Sequence, residues 1–186
     1  MKKSNLSFFI LAALACSQSY AADGKITFSG AISAATCTVT GGNGILGGAS
    51  DFEVRLPTVS NDALANNGDV AGSTKFSLII GSEDEAACTN GEIASLMFES
   101  PESPLIDPNT GRLKNMDGDQ YAKNLQIELL NNNGEVIDLY NNTNITNEMI
   151  VGNTAVLNFT ARYRAIADSV VPGEVKTNIV YSVTYN

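Results

Sequence analysis

Histidine is absent from the 186 residues. The side chain that most often exchanges a proton near neutral pH is therefore missing, and no nucleophile–histidine pair can be assembled. Long apolar runs are also absent after the first fifteen residues, so no later segment reads as a membrane-spanning helix. Positive charge is scarce, with 11 basic residues against 20 acidic ones. A surface of that sign argues against nucleic acid and anionic membranes as partners. Cysteine occurs three times, too rarely and too far apart for a thiolate metal site, so neither a metal nor another cofactor is expected.

The start of the chain explains part of this composition. Met1-Lys2-Lys3 is a short basic opening, Leu6 to Ala15 is an apolar core of ten residues, and Ser19-Tyr20-Ala21 is a small-x-Ala cleavage site. In that order the three features read as a secretory signal peptide over residues 1–21. Ala13-Leu14-Ala15-Cys16 loosely resembles a lipoprotein cleavage site, with the leucine one place too late. Cleavage after Ala21 removes Cys16, Lys2 and Lys3 and leaves a formal charge of −11 on a chain long enough for one domain with a core. Two cysteines in an exported protein are expected to pair, as Cys37–Cys88. A covalent loop of that size is worth about 4 kcal/mol by the chain-entropy argument.

The rest of the chain carries a period of two. In Lys25 to Ala34, residues Ile26, Phe28, Gly30, Ile32 and Ala34 share one strand face. Thr36 to Thr40 continues extended, and Gly41 to Gly48 reads as a flexible loop. Phe52 to Leu56, Thr74 to Ile80 and Ile93 to Phe98 read as strands, and Pro101 to Gly111 as a loop. Leu125, Ile127 and Leu129 alternate with Asn124, Gln126 and Glu128, and Asn133-Gly134 predicts a hairpin returning through Glu135 to Leu139. Ala155 to Tyr163 and Val175 to Tyr185 alternate in the same way. Only Asn61 to Ala65 suggests a helical turn. Seven or eight short strands separated by Gly, Pro and Asn turns predict an all-β antiparallel sandwich.

Polar clusters add no chemistry. Glu83-Asp84-Glu85 reads as a solvated loop. Asp117-Gly118-Asp119 lacks the remaining ligands of a calcium loop. Three Asn-x-Thr matches in an Asn-rich chain read as chance.

Several segments together resemble the chaperone–usher fimbrial subunits of the type 1 pilin group. Ile26-Thr27-Phe28-Ser29-Gly30-Ala31-Ile32 before Cys37 is similar to their N-terminal arm. Val54 to Ser60, then Gly68, Gly72 and Phe76 to Leu78, is similar to the region leading to their second cysteine. Asn124 to Asp138 resembles their central hairpin, and Phe159 to Tyr163 and Pro172 to the Tyr185-Asn186 ending resemble their last two strands. The chain departs from that pattern at Gly81 to Ala87 and at Glu99 to Arg112.

The resemblance implies an immunoglobulin-like sandwich that lacks its last strand and is completed by a donor strand from a neighbouring subunit. It implies a donor arm over residues 22–34, with Ile26, Phe28, Gly30 and Ile32 facing the acceptor, and a pilin domain over residues 35–186. It implies other pilin subunits, a periplasmic chaperone gripping Tyr185 and Asn186, and an outer-membrane usher as partners. A host surface could be met through the assembled fibre. The function implied is a non-enzymatic structural subunit of a bacterial surface fimbria that supports adhesion. The alternative is a minor adaptor or tip-associated subunit with a ligand-binding role of its own.

Overall fold

The computed structural model describes residues 37–46 and 51–186. Residues 154–165 explain why the chain becomes a sandwich. Ala155, Leu157, Phe159, Ala161, Tyr163 and Ala165 are all buried, while the residues between them are half-buried or exposed. This face pattern makes Thr154–Ala165 a strand with one side in the core. It is paired along both edges and so forms the middle of a sheet.

In chain order the strands among the described residues are β1 (Val39–Gly41), β2 (Val70–Gly81), β3 (Ile93–Phe98), β4 (Ile106–Asp107), β5 (Arg112–Lys114), β6 (Leu125–Leu130), β7 (Asn147–Met149), β8 (Thr154–Ala165) and β9 (Tyr181–Tyr185). Asn61–Leu64 forms the single helical turn expected there, a 3-10 turn capped by the Ser60 side chain. The larger sheet has the order β1-β2-β8-β6-β5-β4 and the smaller one β7-β3-β9. Every ladder in both sheets is antiparallel. The core lies between them, where Leu78 and Ile80 of β2 and Leu157 of β8 join Leu96 and Phe98 of β3. The stacked rings of Phe76 and Phe159, 5.2 Å apart, belong to one directly opposed cross-strand pair.

The β2–β8 ladder is interrupted between Ala71 and Thr74. Gly72 sits in that bulge at φ 68°, and a Cβ there would lie 2.8 Å from the Tyr163 ring. Glycine is thus required both by the backbone turn and by the close approach of the ring.

Several sequence expectations are modified. Phe52 to Leu56 alternates in burial as predicted but among the described residues joins no ladder and pairs through an isolated bridge from Glu53 to Leu46. The hairpin after β6 forms, with the Asn131 and Ile137 amides bonded to Glu135 and Leu129, yet its returning arm makes isolated bridges, Val136 to Leu130 and Asp138 to Thr143, in place of a strand. The predicted loop at 101–111 contains β4, which folds back on β5.

The polar face of β6 is the clearest surprise. Gln126 and Glu128 are buried, at 2% and 0% exposure. Gln126 donates to Asp107 Oδ2 at 2.7 Å and accepts from the Thr110 hydroxyl at 3.1 Å. The backbone amide of Asn109 and these side chains together hold the Asp107 carboxyl below the usual carboxylate range. Glu128 accepts from Arg162 at 2.6 Å and from Arg112 at 3.0 Å, with Arg164 at 3.8 Å. Arg112 and Arg162 flank Glu128 because β5 and β8 pair with β6 on opposite edges. A fully buried carboxylate is tolerated only with such partners.

Replacing Arg112 and Arg162 together with methionine should therefore lower stability by on the order of 3–5 kcal/mol, read from urea unfolding. Adding Glu128→Gln to that double variant should restore most of the loss, because the stranded charge is then gone.

Candidate functional site

The last thirteen residues build one side of a long cleft. Ile93 and Asn186 exchange both of their main-chain hydrogen bonds, so they form a hydrogen-bonded pair at the end of the β3–β9 ladder. In an antiparallel ladder such pairs recur every second residue. The even-numbered residues of β9 therefore face β3, and the main chain of Tyr181, Val183 and Tyr185 faces the opposite edge.

The same parity extends upstream of β9. Glu174 bonds to Gln120 and Ala122, the Lys176 carbonyl accepts from Met116, the Lys176 amide donates to the Asn115 side chain, and the Val180 carbonyl accepts from Glu99. The Val180 amide donates to the Ser103 hydroxyl. Thus the main chain of Glu174, Lys176, Val180 and the even-numbered residues from Ser182 to Asn186 is engaged on one side. Among the described residues no strand lies along the other edge of β9.

Side chains follow the same alternation. Val175, Thr177, Ile179, Tyr181, Val183 and Tyr185 are half-buried, and Lys176, Asn178 and Val180 are exposed. All six odd-numbered residues line a cavity of about 1740 Å3. Its floor is the inward face of the larger sheet, including Phe76, Leu78, Ile127 and Phe159. Its opposite side is formed by Val39, Ile45 and the ladderless stretch from Asp51 to Val59. Phe52 reaches the β9 side, where its ring stacks on Tyr181 with centroids 6.1 Å apart. At one pole Gly173 passes so close to the 120–122 segment that a Cβ would lie 2.5 Å from the Ala122 amide nitrogen. Glycine there brings the edge segment against its neighbour.

The cleft is apolar enough to disturb its phenols. Burial pushes Tyr163, Tyr181 and Tyr185 above the ordinary value of 10.0, with Asp51 adding to the effect at Tyr181. The Thr177 hydroxyl oxygen is buried without a hydrogen-bond partner among the described residues. Among the described residues no cluster of His, Cys, Asp or Glu has the size of a metal site. The cavity exceeds a typical small-ligand pocket of ~300–1,000 Å3, and the main chain of Val183 and Tyr185 borders it without a ladder partner among the described residues. Such a geometry suits an extended peptide.

Of the residues singled out from sequence, Cys37 and Cys88 form a disulfide with a Cα separation of 4.9 Å. Tyr185 lies opposite Ala94 in the ladder, and its side chain reaches the Cys37 main chain. Asn186 closes the same ladder through Ile93. Ile26, Phe28, Gly30 and Ile32 lie outside the described residues. Sequence reasoning missed the far wall of the cleft. The alternation of Phe52, Val54 and Leu56 marks that segment as one-sided, but nothing in it says that its neighbour is a cavity.

The chain matches the family described as Type-1 fimbrial protein, A, over residues 56–186. It belongs to the type-1 fimbrial protein family. The major fimbrial subunit SMF-1 of Stenotrophomonas maltophilia (strain K279a) is 37% identical over 174 residues, covering 89% of this chain and 94% of the relative. The F17 fimbrial protein of Escherichia coli is 32% identical over 189 residues, covering 100% of this chain and 99% of the relative. Among solved structures, the P pilus rod subunit PapA aligns with a TM-score of 0.57 at 16% identity, covering 82% of this chain and 100% of that one. The type I fimbria protein BPSL1626 of Burkholderia pseudomallei aligns with a TM-score of 0.51 at 19% identity, covering 80% and 97%. These two structures establish the pilin immunoglobulin-like sandwich for the fimbrial chain. The family consists of fimbrial subunits rather than enzymes, in keeping with the lack of an acid–base constellation in the sequence.

The raised phenols give the fimbrial domain a pH dependence. A folded-state pKa above the unfolded one contributes stability that is fully present below about pH 10 and is lost as pH rises through the folded value. Unfolding measured at pH 9 and at pH 11, alongside phenolate absorbance, should show that loss. Tyr163→Phe should make it smaller, since burial alone raises Tyr163.

Proposed function

We propose that this chain is an exported structural subunit of a bacterial surface fimbria and that it polymerises by donor-strand complementation. Residues 1–21 are removed on export, residues 22–34 form the donor arm, and residues 35–186 form the domain that accepts the arm of the next copy. The cleft along Val175 to Tyr185 is the acceptor. The observation that carries this reading is that β9 pairs with β3 along one edge and, among the described residues, with no strand along the other, beside an apolar cavity.

Length and pattern agree with it. At ~3.3 Å per residue, the row from Val175 to Tyr185 extends about 33 Å and the arm from Ile26 to Ala34 about 26 Å. The arm presents Ile26, Phe28, Ile32 and Ala34 on one face, with Gly30 where the least side-chain space is available. Burying Ile26, Phe28 and Ile32 is worth ~1.5–3 kcal/mol each before ordering costs. The main-chain groups of Val183 and Tyr185 add hydrogen bonds at ~0.5–1.5 kcal/mol each.

Before assembly the same edge needs a temporary partner, since an apolar edge strand invites indiscriminate pairing. A periplasmic chaperone fills that role, held at Tyr185 and the Asn186 carboxylate, and an outer-membrane usher passes the subunit to the fibre. Adhesion follows from the assembled fibre at the cell surface. The near full-length match to a protein named a major fimbrial subunit supports a place in the shaft.

Two complementary variants test the reading. Deleting Gly24 to Ile32 should abolish donation to a wild-type acceptor while uptake of a synthetic peptide of residues 22–36 persists. Val183→Asp should do the reverse, slowing peptide uptake at least about ten-fold by placing a charge in the cleft while donation continues. Both are read from band shifts of chaperone-bound subunits over time. Self-polymerisation of the deleted chain would overturn the proposal.

A further inference from the structure

Four contacts converge where β1 begins. The disulfide ties Cys37 to Cys88. The Gly81 amide donates to the Thr38 carbonyl at 2.7 Å. Tyr185 reaches the Cys37 main chain. Glu85 supplies the fourth: the Thr38 amide donates to one carboxylate oxygen at 2.8 Å and the Thr38 hydroxyl to the other at 2.7 Å. The sequence reading made Glu85 part of a solvated acidic loop. Glu83 and Asp84 are exposed as that reading expects, but Glu85 is half-buried and engaged.

The loop that carries Glu85 is itself fixed. Its amide donates to the Ser82 carbonyl and its carbonyl accepts from the Cys88 amide, each at 2.9 Å. The Asn153 side chain bonds to the carbonyls of Glu85 and Cys88 at 3.2 and 2.7 Å. The carboxylate is therefore held at a set position before it meets Thr38.

A disulfide fixes the separation of two residues but leaves rotation about the adjoining backbone bonds. A carboxylate that takes both the amide and the hydroxyl of one residue fixes the plane of the 37–38 peptide as well. β1 has only three residues and lies at a sheet edge, so its own ladder holds that end weakly. We propose that Glu85 is a positioning residue for assembly: its two bonds to Thr38 orient the root from which the N-terminal segment leaves the domain. A segment with an oriented root loses less freedom on docking and enters an acceptor faster. Glu85 does not line the cleft, so the effect falls on donation and not on acceptance. This inference rests on the strand-donation reading above.

The test uses full-length chaperone-bound subunits and measures two rates for each variant. One is entry of its own segment into a wild-type acceptor; the other is its uptake of a synthetic peptide of residues 22–36. Glu85→Ala should slow donation roughly three- to ten-fold and leave uptake unchanged. Glu85→Gln, which keeps one acceptor oxygen, should fall between Glu85→Ala and wild type. Thr38→Val, which removes only the hydroxyl bond, should slow donation less than Glu85→Ala and provides the measurement if that variant fails to fold. Equal slowing of both rates, or no change in donation, would overturn the positioning role. A wild-type chain that takes up the peptide but never donates would overturn the donation reading itself.

Discussion

Between Glu174 and Asn186 the main chain of Glu174, Lys176, Val180 and the even-numbered residues of β9 turns to one side and bonds to three different neighbours: the 115–122 segment, the Glu99–Ser103 turn and β3. This single constraint determines the character of the cleft. A strand bonded along one edge must present its other edge, and the alternation of side chains then turns Val175, Ile179 and Val183 toward the gap between the sheets. The apolar lining and the direction of the odd-numbered main chain are two consequences of one register. Shifting that register by one residue would turn Val175, Ile179 and Val183 away from the gap.

The larger sheet makes the constraint durable. Its long β2–β8 ladder carries the floor of the cleft, and β6 is buried on both faces. The outward side of β6 is closed by Glu128 with its arginines and by Gln126 with Asp107 and Thr110. A floor anchored from behind can keep its inward side chains in place while the opposite side stays available. The disulfide adds a covalent tie between Cys37, just ahead of β1, and the loop that follows β2.

Much of this was legible because period-two alternation reports which side of a strand faces a core. β8 follows its pattern at every inward position. The same signal could not reveal partners. Phe52 to Leu56 and Val175 to Ile179 alternate as clearly as β8, yet neither lies in a ladder: the first runs along the cavity, and the second is held by loops. Gln126 and Glu128 look like a solvent face because their partners, Asp107, Thr110, Arg112 and Arg162, come from separate parts of the chain. Glu85 was hidden by its company, since two exposed acids precede it. The cleft was approached in sequence only through its proposed occupant, whose pattern at Ile26 to Ala34 implies a complementary groove somewhere.

An exposed apolar edge is also a hazard, because it can pair with any extended chain. The charge of this protein bears on that problem. With the N-terminal segment to Ala21 removed, acidic residues outnumber basic ones by 20 to 9, and three of the four arginines are gathered around Glu128. Most of the remaining surface is therefore free to repel another copy at distances of about a Debye length, ~8 Å at physiological ionic strength. Association through broad faces is disfavoured, whereas a narrow strand entering the cleft brings little of that surface into contact. The arm as read from sequence carries one lysine and no acid between Lys25 and Ala34, so it meets no such repulsion on entry. On the strand-donation reading proposed above, repulsion between the domains and attraction between strand and cleft together favour end-to-end growth over clumping.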